Sequence, residues 1–477
     1  MNVALINTNQ IRPPISPVGL EYIAEALHAA GHEVHVLDLC WETDRASAVE
    51  AFYRGRDFSL TGLTLRNTDD CAFFGRESFI PGFADTVALV KAQNSGISAI
   101  GGAGYSVMPE AVLDVCAADV GIWGEGEFAM VQLADRIDGR EPWDDVPGLL
   151  VRRDGNWERN APVFGDLGNL PAMTRRWFDN ERYFHEGGQL GFETKRGCPG
   201  ACIYCADPVA KGSRIRLRPP EAVTQELAGL VERGLDQLHT CDAEFNIPRE
   251  HALRVCRSLT EQGLGERLKW YAYCSPAPFD RELAAAMRQA GCAGINFGTD
   301  SGDDRLLKDL GRGFTGEDIA TAVSLCREHG IRVMIDLLMG VPGETKQSIR
   351  NTVELMMKAG PDCVGVAVGV RVYPGTPLAA MATEGLLDAG LRGRETPDDP
   401  RFFLEPAVAE FIYPLLAQLI GDDERFFFFD PARPEANYNY NANTVLTDAL
   451  AAGARGAYWD ILLRRRGEVG TAEGDGE

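Results

Sequence analysis

Short apolar runs alternate with helical patterns twice along this chain, and that alternation restricts the fold more than any other feature. Runs at 3–7, 34–39, 60–65, 97–100 and 119–123 each end in polar or glycine-rich sequence. Between them lie helical patterns. In 19–30, Leu20, Ile23, Ala24 and Leu27 share one face and Gly31 supplies a stop. Apolar strands separated by amphipathic helices predict a doubly wound parallel sheet, whose ligands sit at the carboxyl ends of the strands. A second series has strands at 190–194, 237–240, 269–273, 294–297, 332–337 and 363–370, with helices between them. Six such units predict an α/β partial (β/α)6 barrel with its chemistry on the same side of the strands. Residues 140–190 are broken by Pro142, Pro147, Pro162 and Pro171 and read as a linker. The last ninety residues carry FFFFD, NYNYNAN and YWDIL, and the sequence after Arg466 has the composition of a disordered tail.

The 47 Lys and Arg against 70 Asp and Glu leave a net charge of −23, which repels phosphate backbones and argues against nucleic acid as a partner. No run reaches the roughly 18 apolar residues of a membrane span, and the start lacks a secretory pattern. A cytoplasmic location is expected. Nine of the 12 cysteines are scattered singly, as reduced, buried thiols are.

The other three, Cys198, Cys202 and Cys205, stand together in RGCPGACIYCADP, just past the first strand of the second series. Closely spaced thiols in a reducing compartment point to zinc or iron–sulfur. A structural zinc site needs a fourth ligand, and the nearest histidines, His185 and His239, are not at finger-like spacing. Three thiolates on a four-iron cluster leave one iron open to a small molecule.

CPGACIYC resembles the Cys-x3-Cys-x2-Cys signature of the radical SAM enzymes. That resemblance implies a 4Fe-4S cluster on Cys198, Cys202 and Cys205, with Tyr204 against the adenine of S-adenosylmethionine (SAM). It further implies SAM contacts from Asp242, Glu244 and Asn246 after the second strand and from Thr299, Asp300 and Ser301 after the fourth. Gly340 and Val341 follow the fifth. Read singly, each segment is an ordinary strand-to-helix turn, and it is the three in register behind the cysteines that favour the functional reading.

The first series lacks Gly-x-Gly-x-x-Gly after its first strand, where the chain reads NTNQIRPPISPVG, so a dinucleotide is disfavoured. PPISPVGLEYIAEALHAAGHEVHVLD, LTLRNTDD, GGAGYSVMPEAVL and GIWGEGE instead resemble the cobalamin-binding module that precedes many radical SAM barrels. The resemblance implies contacts from Thr8, Arg66, Asn67, Gly101, Gly102, Tyr105, Ser106, Gly124, Glu125 and Gly126. No Asp-x-His-x-x-Gly is present, so a base-off cobalamin with no His ligand is expected. Arg66 would lie near its lower face, or else pair with Asp69 or Asp70.

The expected organisation is a Rossmann-like cobalamin-binding domain at 1–140, a linker at 141–188 and a TIM-type radical SAM partial barrel at 189–385. A small, mainly α C-terminal cap or substrate domain follows at 386–477. By resemblance the activity is methyl transfer from SAM, by way of cobalamin, to a weakly activated carbon of a small molecule, with an external reductant of the flavodoxin or ferredoxin type. LTLRNTDD, ETKRGCPGACIYCADPVAKG and CDAEFN look closest to the tryptophan 2-C-methyltransferases, which use a polar route. On that branch Glu244 is a candidate fourth ligand of the cluster, and Tyr271 or Tyr273 a candidate base. The alternative is a cobalamin-bearing radical SAM enzyme that rearranges, cyclises or oxidises its substrate without methyl transfer.

Overall fold

The computed structural model describes residues 1–162, 164–428, 440 and 443–472. Its first sheet has seven strands: β1 Asn2–Asn7, β2 Glu33–Asp38, β3 Leu60–Thr64, β4 Ile97–Gly101, β5 Val120–Ile122, β6 Leu149–Arg153 and β7 Asn156–Arg159. The order is β2-β1-β3-β4-β5-β6-β7. β1 is central and buried from its second residue onward, as a parallel strand covered on both faces must be. The winding direction reverses between β1 and β3, so the crevice at their carboxyl ends is where a ligand is expected.

The sheet extends further than the alternation predicts. β6 and β7 pair antiparallel and come from the proline-rich stretch read as a linker. Asp154 and Gly155 both have positive φ, 48° and 84°. These are the values a two-residue Asp-Gly hairpin needs, and the prolines had masked that signal. The same stretch also holds the helix Asn180–Gly187.

The second sheet contains β8 Leu190–Phe192, β11 Gln237–Thr240, β12 Lys269–Cys274, β13 Cys292–Asp300, β14 Arg332–Met339, β15 Cys363–Val368 and β19 Phe426–Phe428. All pair parallel in the order β19-β15-β14-β13-β12-β11-β8. The phenylalanine run at 426–428 therefore supplies a seventh strand to a barrel whose six others follow the expected series. A short hairpin of β9 Lys195–Arg196 and β10 Arg216–Leu217 brackets the cysteine loop. β16 Val370–Arg371, β17 Leu391–Arg392 and β18 Phe402–Phe403 form a small antiparallel sheet beside it.

The C-terminal segment packs into the barrel. Tyr271, Met334, Cys363 and Phe427 from the strands join Leu446, Leu450, Tyr458, Trp459 and Ile461 in one buried cluster. The last helix, Tyr458–Ala472, continues past Arg466, where the sequence predicts a disordered tail. Most of NYNYNAN lies outside the described residues; of its tyrosines, Tyr440 is described, its hydroxyl 3.8 Å from Met334 Sδ.

The two sheets share one continuous core, running from Leu5 and Leu20 through Phe184 and Leu227 to Phe297 and Val366. Buried polar networks cross the seam. Tyr22 Oη donates to Glu226, which also pairs with Arg175 and Arg218. Glu21 accepts from Asn180 at 2.6 Å. Networks of this kind hold one geometry because an unsatisfied member costs about 1–3 kcal/mol.

Candidate active site between the two sheets

The cysteine loop leaves the β9–β10 hairpin at its neck, where Cys198 N donates to the Gly212 carbonyl at 3.1 Å. Cys198, Cys202 and Cys205 are all half-buried. Gly200 lies between two of them: a Cβ there would sit 3.3 Å from Cys198 Sγ and 3.7 Å from Cys202 Sγ. Among the described residues no three His, Cys, Asp or Glu side chains come close enough to share one ion. Burial raises all three thiols, Cys205 to about 12, so each would have to release its proton to solvent to bind a metal as thiolate.

A cation absent from the motif reading organises this loop. Arg312 Nη1 donates to Cys202 Sγ at 2.9 Å, and Nη2 donates to the Gly298 carbonyl. The same guanidinium lies 3.3 Å from Asp300 and 3.7 Å from Glu244. Tyr204 Oη donates to Asp300 at 2.6 Å, which fixes the ring beside the cysteines. Glu244 is pushed up to about 7 by burial; Arg312 and Lys195 pull the other way. Its side chain is 18% exposed, its charge is felt at Cys198, and among the described residues its ion-pair contact is the Arg312 guanidinium. Nothing local marks Arg312 in the sequence, since it lies 110 residues beyond its cysteine.

Other expected SAM contacts are occupied elsewhere. Asp242, 2% exposed, accepts from Thr194 N at 2.9 Å, from its hydroxyl at 2.5 Å and from Lys195 N at 3.3 Å. Asn246 donates to the Ser275 and Pro278 carbonyls and accepts from Ser275 N, all within 2.9 Å. Thr299 bonds the Asp336 carbonyl, and Ser301 meets Thr352. These four brace the strand ends that carry the site, and their polar atoms point into protein. Gly340 turns the chain at φ 79°, and Val341 is buried in the apolar cluster on which Tyr204 packs.

Glu344 follows in this turn, 1% exposed, accepting from Ser348 and from Gly340 N. Burial holds its carboxyl up at about 7. The native state thus keeps a proton that the unfolded chain releases from about pH 4.5 upward. The resulting stability is complete below that value and is lost as pH rises through 7. Glu344→Gln is expected to flatten this loss in urea unfolding between pH 5 and pH 8, leaving the variant the more stable form at the alkaline end.

In the first sheet, a pocket opens at the β1–β3 reversal, lined by Gly62, Thr64, Gly101, Gly102, Ser106 and Gly124. Gly102 has φ 108°, and a Cβ there would collide with Thr64 and the Leu65 carbonyl. Thr8 Oγ1 ties the strand ends together by donating to the Thr64 carbonyl at 2.6 Å. Ser106 Oγ accepts from Gly124 N at 3.1 Å. A cradle of glycines at the strand ends fits a bulky planar ligand. The far wall belongs to the second sheet's chain: Glu193, Arg196, Ala210 and Lys211. Arg196 joins Glu125, Glu127 and Glu193, and Arg216 joins Glu125 at 2.5 Å. Glu125 Oε1 is therefore committed to this seam, while its buried Oε2 has no hydrogen-bond partner among the described residues. Tyr105 also leaves the expected set: it is fully buried in the sheet's second core, its ring filling the space above Gly121.

Arg66 follows β3 and borders a second, polar pocket with Thr8, Asn67 and Arg12. Its guanidinium bonds Asn67 at 3.1 Å and forms no ion pair among the described residues. Asp69 pairs instead with Arg371 at 2.9 Å. The positive charge of Arg66 reaches the barrel, where it eases the burial-raised Tyr273 phenol and Cys241 thiol downward.

Inside the barrel the two candidate tyrosines part. Tyr271 Oη donates to Asp460 at 2.9 Å and the residue is 3% exposed, a core role that removes it as a base. Tyr273 is 43% exposed.

Residues 5–134 match the B12 binding domain and residues 192–356 the radical SAM superfamily. Tryptophan 2-C-methyltransferase of Streptomyces laurentii is 32% identical over 445 residues, covering 80% of this chain and 74% of that protein. Cytidylyl-2-hydroxyethylphosphonate methyltransferase of Streptomyces wedmorensis is 26% identical over 404 residues, with 72% and 73% covered. A solved radical SAM methyltransferase from Kitasatospora setae, with tryptophan substrate and the SAM analogue aza-SAM bound, superposes with a TM-score of 0.91 at 27% identity across 100% of both chains. The same enzyme with cobalamin and a 4Fe-4S cluster bound gives 0.88 at 26% identity, covering 98% and 99%. The glycine cradle, the three-thiol loop and these matches agree, and the chain belongs to the cobalamin-dependent radical SAM methyltransferases, with SAM, cobalamin and a 4Fe-4S cluster as cofactors.

Proposed function

We propose that this enzyme methylates an aromatic carbon of tryptophan, or of a closely related indole amino acid, by a polar route. The observation that carries this reading is Glu244, a partly exposed carboxylate near the cysteine loop that accepts no hydrogen bond among the described residues. Cys198, Cys202 and Cys205 would hold the cluster, and Glu244 would take the iron they leave open. With that iron occupied, reductive cleavage of SAM has no place to start. Tyr204 and Asp300, held by Arg312, would orient SAM, with Gly340 and Val341 behind the aromatic ring. Thr8, Asn67, Gly101, Gly102, Ser106, Gly124 and Gly126 would receive the corrin. Arg66 would stand at its lower face in a base-off state, where a cation opposes ligation by water.

Together the cofactors supply a methyl group in electrophilic form. The chain's own residues orient the acceptor, exclude water and manage the proton. Tyr273, left open where Tyr271 is sealed by Asp460, would face the acceptor. The 32% identity to a tryptophan methyltransferase supports the substrate reading. An electron donor of the flavodoxin or ferredoxin type would return enzyme that has become oxidised to its reduced, active form.

The test is anaerobic reconstitution with iron, sulfide and cobalamin, followed by incubation with SAM and tryptophan. Expected products are methyltryptophan and S-adenosylhomocysteine in equal amounts, without 5′-deoxyadenosine. Glu244→Ala is expected to slow methyl transfer and to release 5′-deoxyadenosine. If wild-type enzyme yields 5′-deoxyadenosine with every methylation, the polar route is wrong.

A further inference from the structure

His239, in the barrel interior, is an acceptor that neither the cluster loop nor the cobalamin pocket uses. His239 on β11 and Tyr273 on β12 lie with ring centroids 4.9 Å apart, and Tyr271 stacks at 6.4 Å from the same imidazole. His239 Nδ1 is 2.8 Å from the Thr240 carbonyl oxygen. A carbonyl only accepts, so Nδ1 carries the proton and Nε2 keeps its lone pair. Among the described residues Nε2 has no hydrogen-bond partner, and neither has Tyr273 Oη. Burial pushes the imidazole down to about 4, so it is neutral at physiological pH. Burial, then Asp336, pushes the neighbouring phenol up to about 12, so Tyr273 holds its proton. Of the two, the imidazole is the group that can accept.

A carbon that gains an electrophilic methyl group must lose a proton. The ring's electron pair forms the carbon–methyl bond, the carbon–hydrogen bond breaks, and its electrons return to the ring. No oxidant or reductant enters this step. We propose that His239 Nε2 is the base that takes this proton, with Tyr273 and Tyr271 aligning the imidazole against the substrate. The assignment rests on the polar methylation of an aromatic carbon set out above.

The experiment compares reconstituted wild type, His239→Gln, His239→Ala and Tyr273→Phe. Both His239 variants are expected to lose about 100-fold in kcat, with cluster and cobalamin absorbance and tryptophan affinity retained. In His239→Ala, added azoles should restore turnover in order of their basicity. Tryptophan deuterated at the reacting carbon should then show a primary isotope effect. Tyr273→Phe should lose only a few-fold, through looser alignment. A Tyr273→Phe loss matching that of His239→Ala, or rescue indifferent to azole basicity, would overturn the assignment. Failure of wild-type enzyme to methylate tryptophan would sink the substrate reading alone. Nitrogen-15 NMR of histidine-labelled protein then decides independently: the Nδ1–H tautomer should persist between pH 5 and pH 8, and an Nε2–H tautomer would overturn the proposal.

Discussion

Replacing Cys202 by alanine is expected to abolish cluster assembly and all methyl transfer. Cys198, Cys202 and Cys205 come from one loop, so removing any one leaves two thiols for four irons. Cys202 has a further role, because Arg312 Nη1 lies 2.9 Å from its sulfur and the same guanidinium contacts Asp300 and Glu244. Without the thiolate, this partly buried cation loses one of its anions, and the Tyr204–Asp300 pair loses part of its support. Reconstituted Cys202→Ala should lack the broad visible absorbance of a 4Fe-4S centre and form no S-adenosylhomocysteine. Cys326→Ala is the control. That thiol is fully buried among apolar side chains far from the loop, so its removal should cost some stability and leave the absorbance intact. A normal cluster spectrum in Cys202→Ala would remove this loop from the site.

Arg196→Met is expected to bring the largest loss of stability, and cobalamin retention should fall with it. The Arg196 side chain is 9% exposed and meets three carboxylates: Glu127 at 2.6 Å, Glu193 at 2.8 Å and Glu125 at 3.8 Å. Removing one member of a buried ion cluster strands the others, at a cost of about 3–5 kcal/mol. Arg216 offsets part of this cost through Glu125. The cluster also closes the pocket proposed for cobalamin, whose wall includes Glu125, Glu127, Glu193 and Arg196. Glu125, already raised by burial, would lose a cation that holds it down and take up a proton, so the deficit should shrink as pH falls from 8 to 5.5. Urea unfolding of the apoprotein at both pH values measures the first effect, and cobalamin release on gel filtration the second. Arg196→Lys keeps the charge without the forked geometry and should fall between. Unchanged stability and retention in Arg196→Met would show that the seam does not depend on this cluster.

Both sheets are legible in the sequence because each strand's burial is written locally, as an apolar run bounded by turn residues. The cysteine loop is legible for a similar reason, since its three cysteines lie within eight residues. The missing β6–β7 hairpin had a local signal, Asp154-Gly155, hidden among prolines. For β19 no local signal distinguishes a strand from buried core, and only its pairing with β15 decides.

The site residues divide along the same line. Sequence position brought Asp242, Glu244 and Asn246 to the end of β11. Only the packing around them decided that Asp242 and Asn246 are consumed by the Thr194 and Ser275 backbones while Glu244 stays available. Tyr271 and Tyr273 are two residues apart on one strand and face the same interior. A residue 189 positions beyond Tyr271, Asp460, seals that hydroxyl and leaves Tyr273 open. Residue type and spacing determined which chemistry this chain can hold. Which groups remain free to perform it depends on desolvation and on hydrogen bonds from distant segments, and those exist only once the chain has folded.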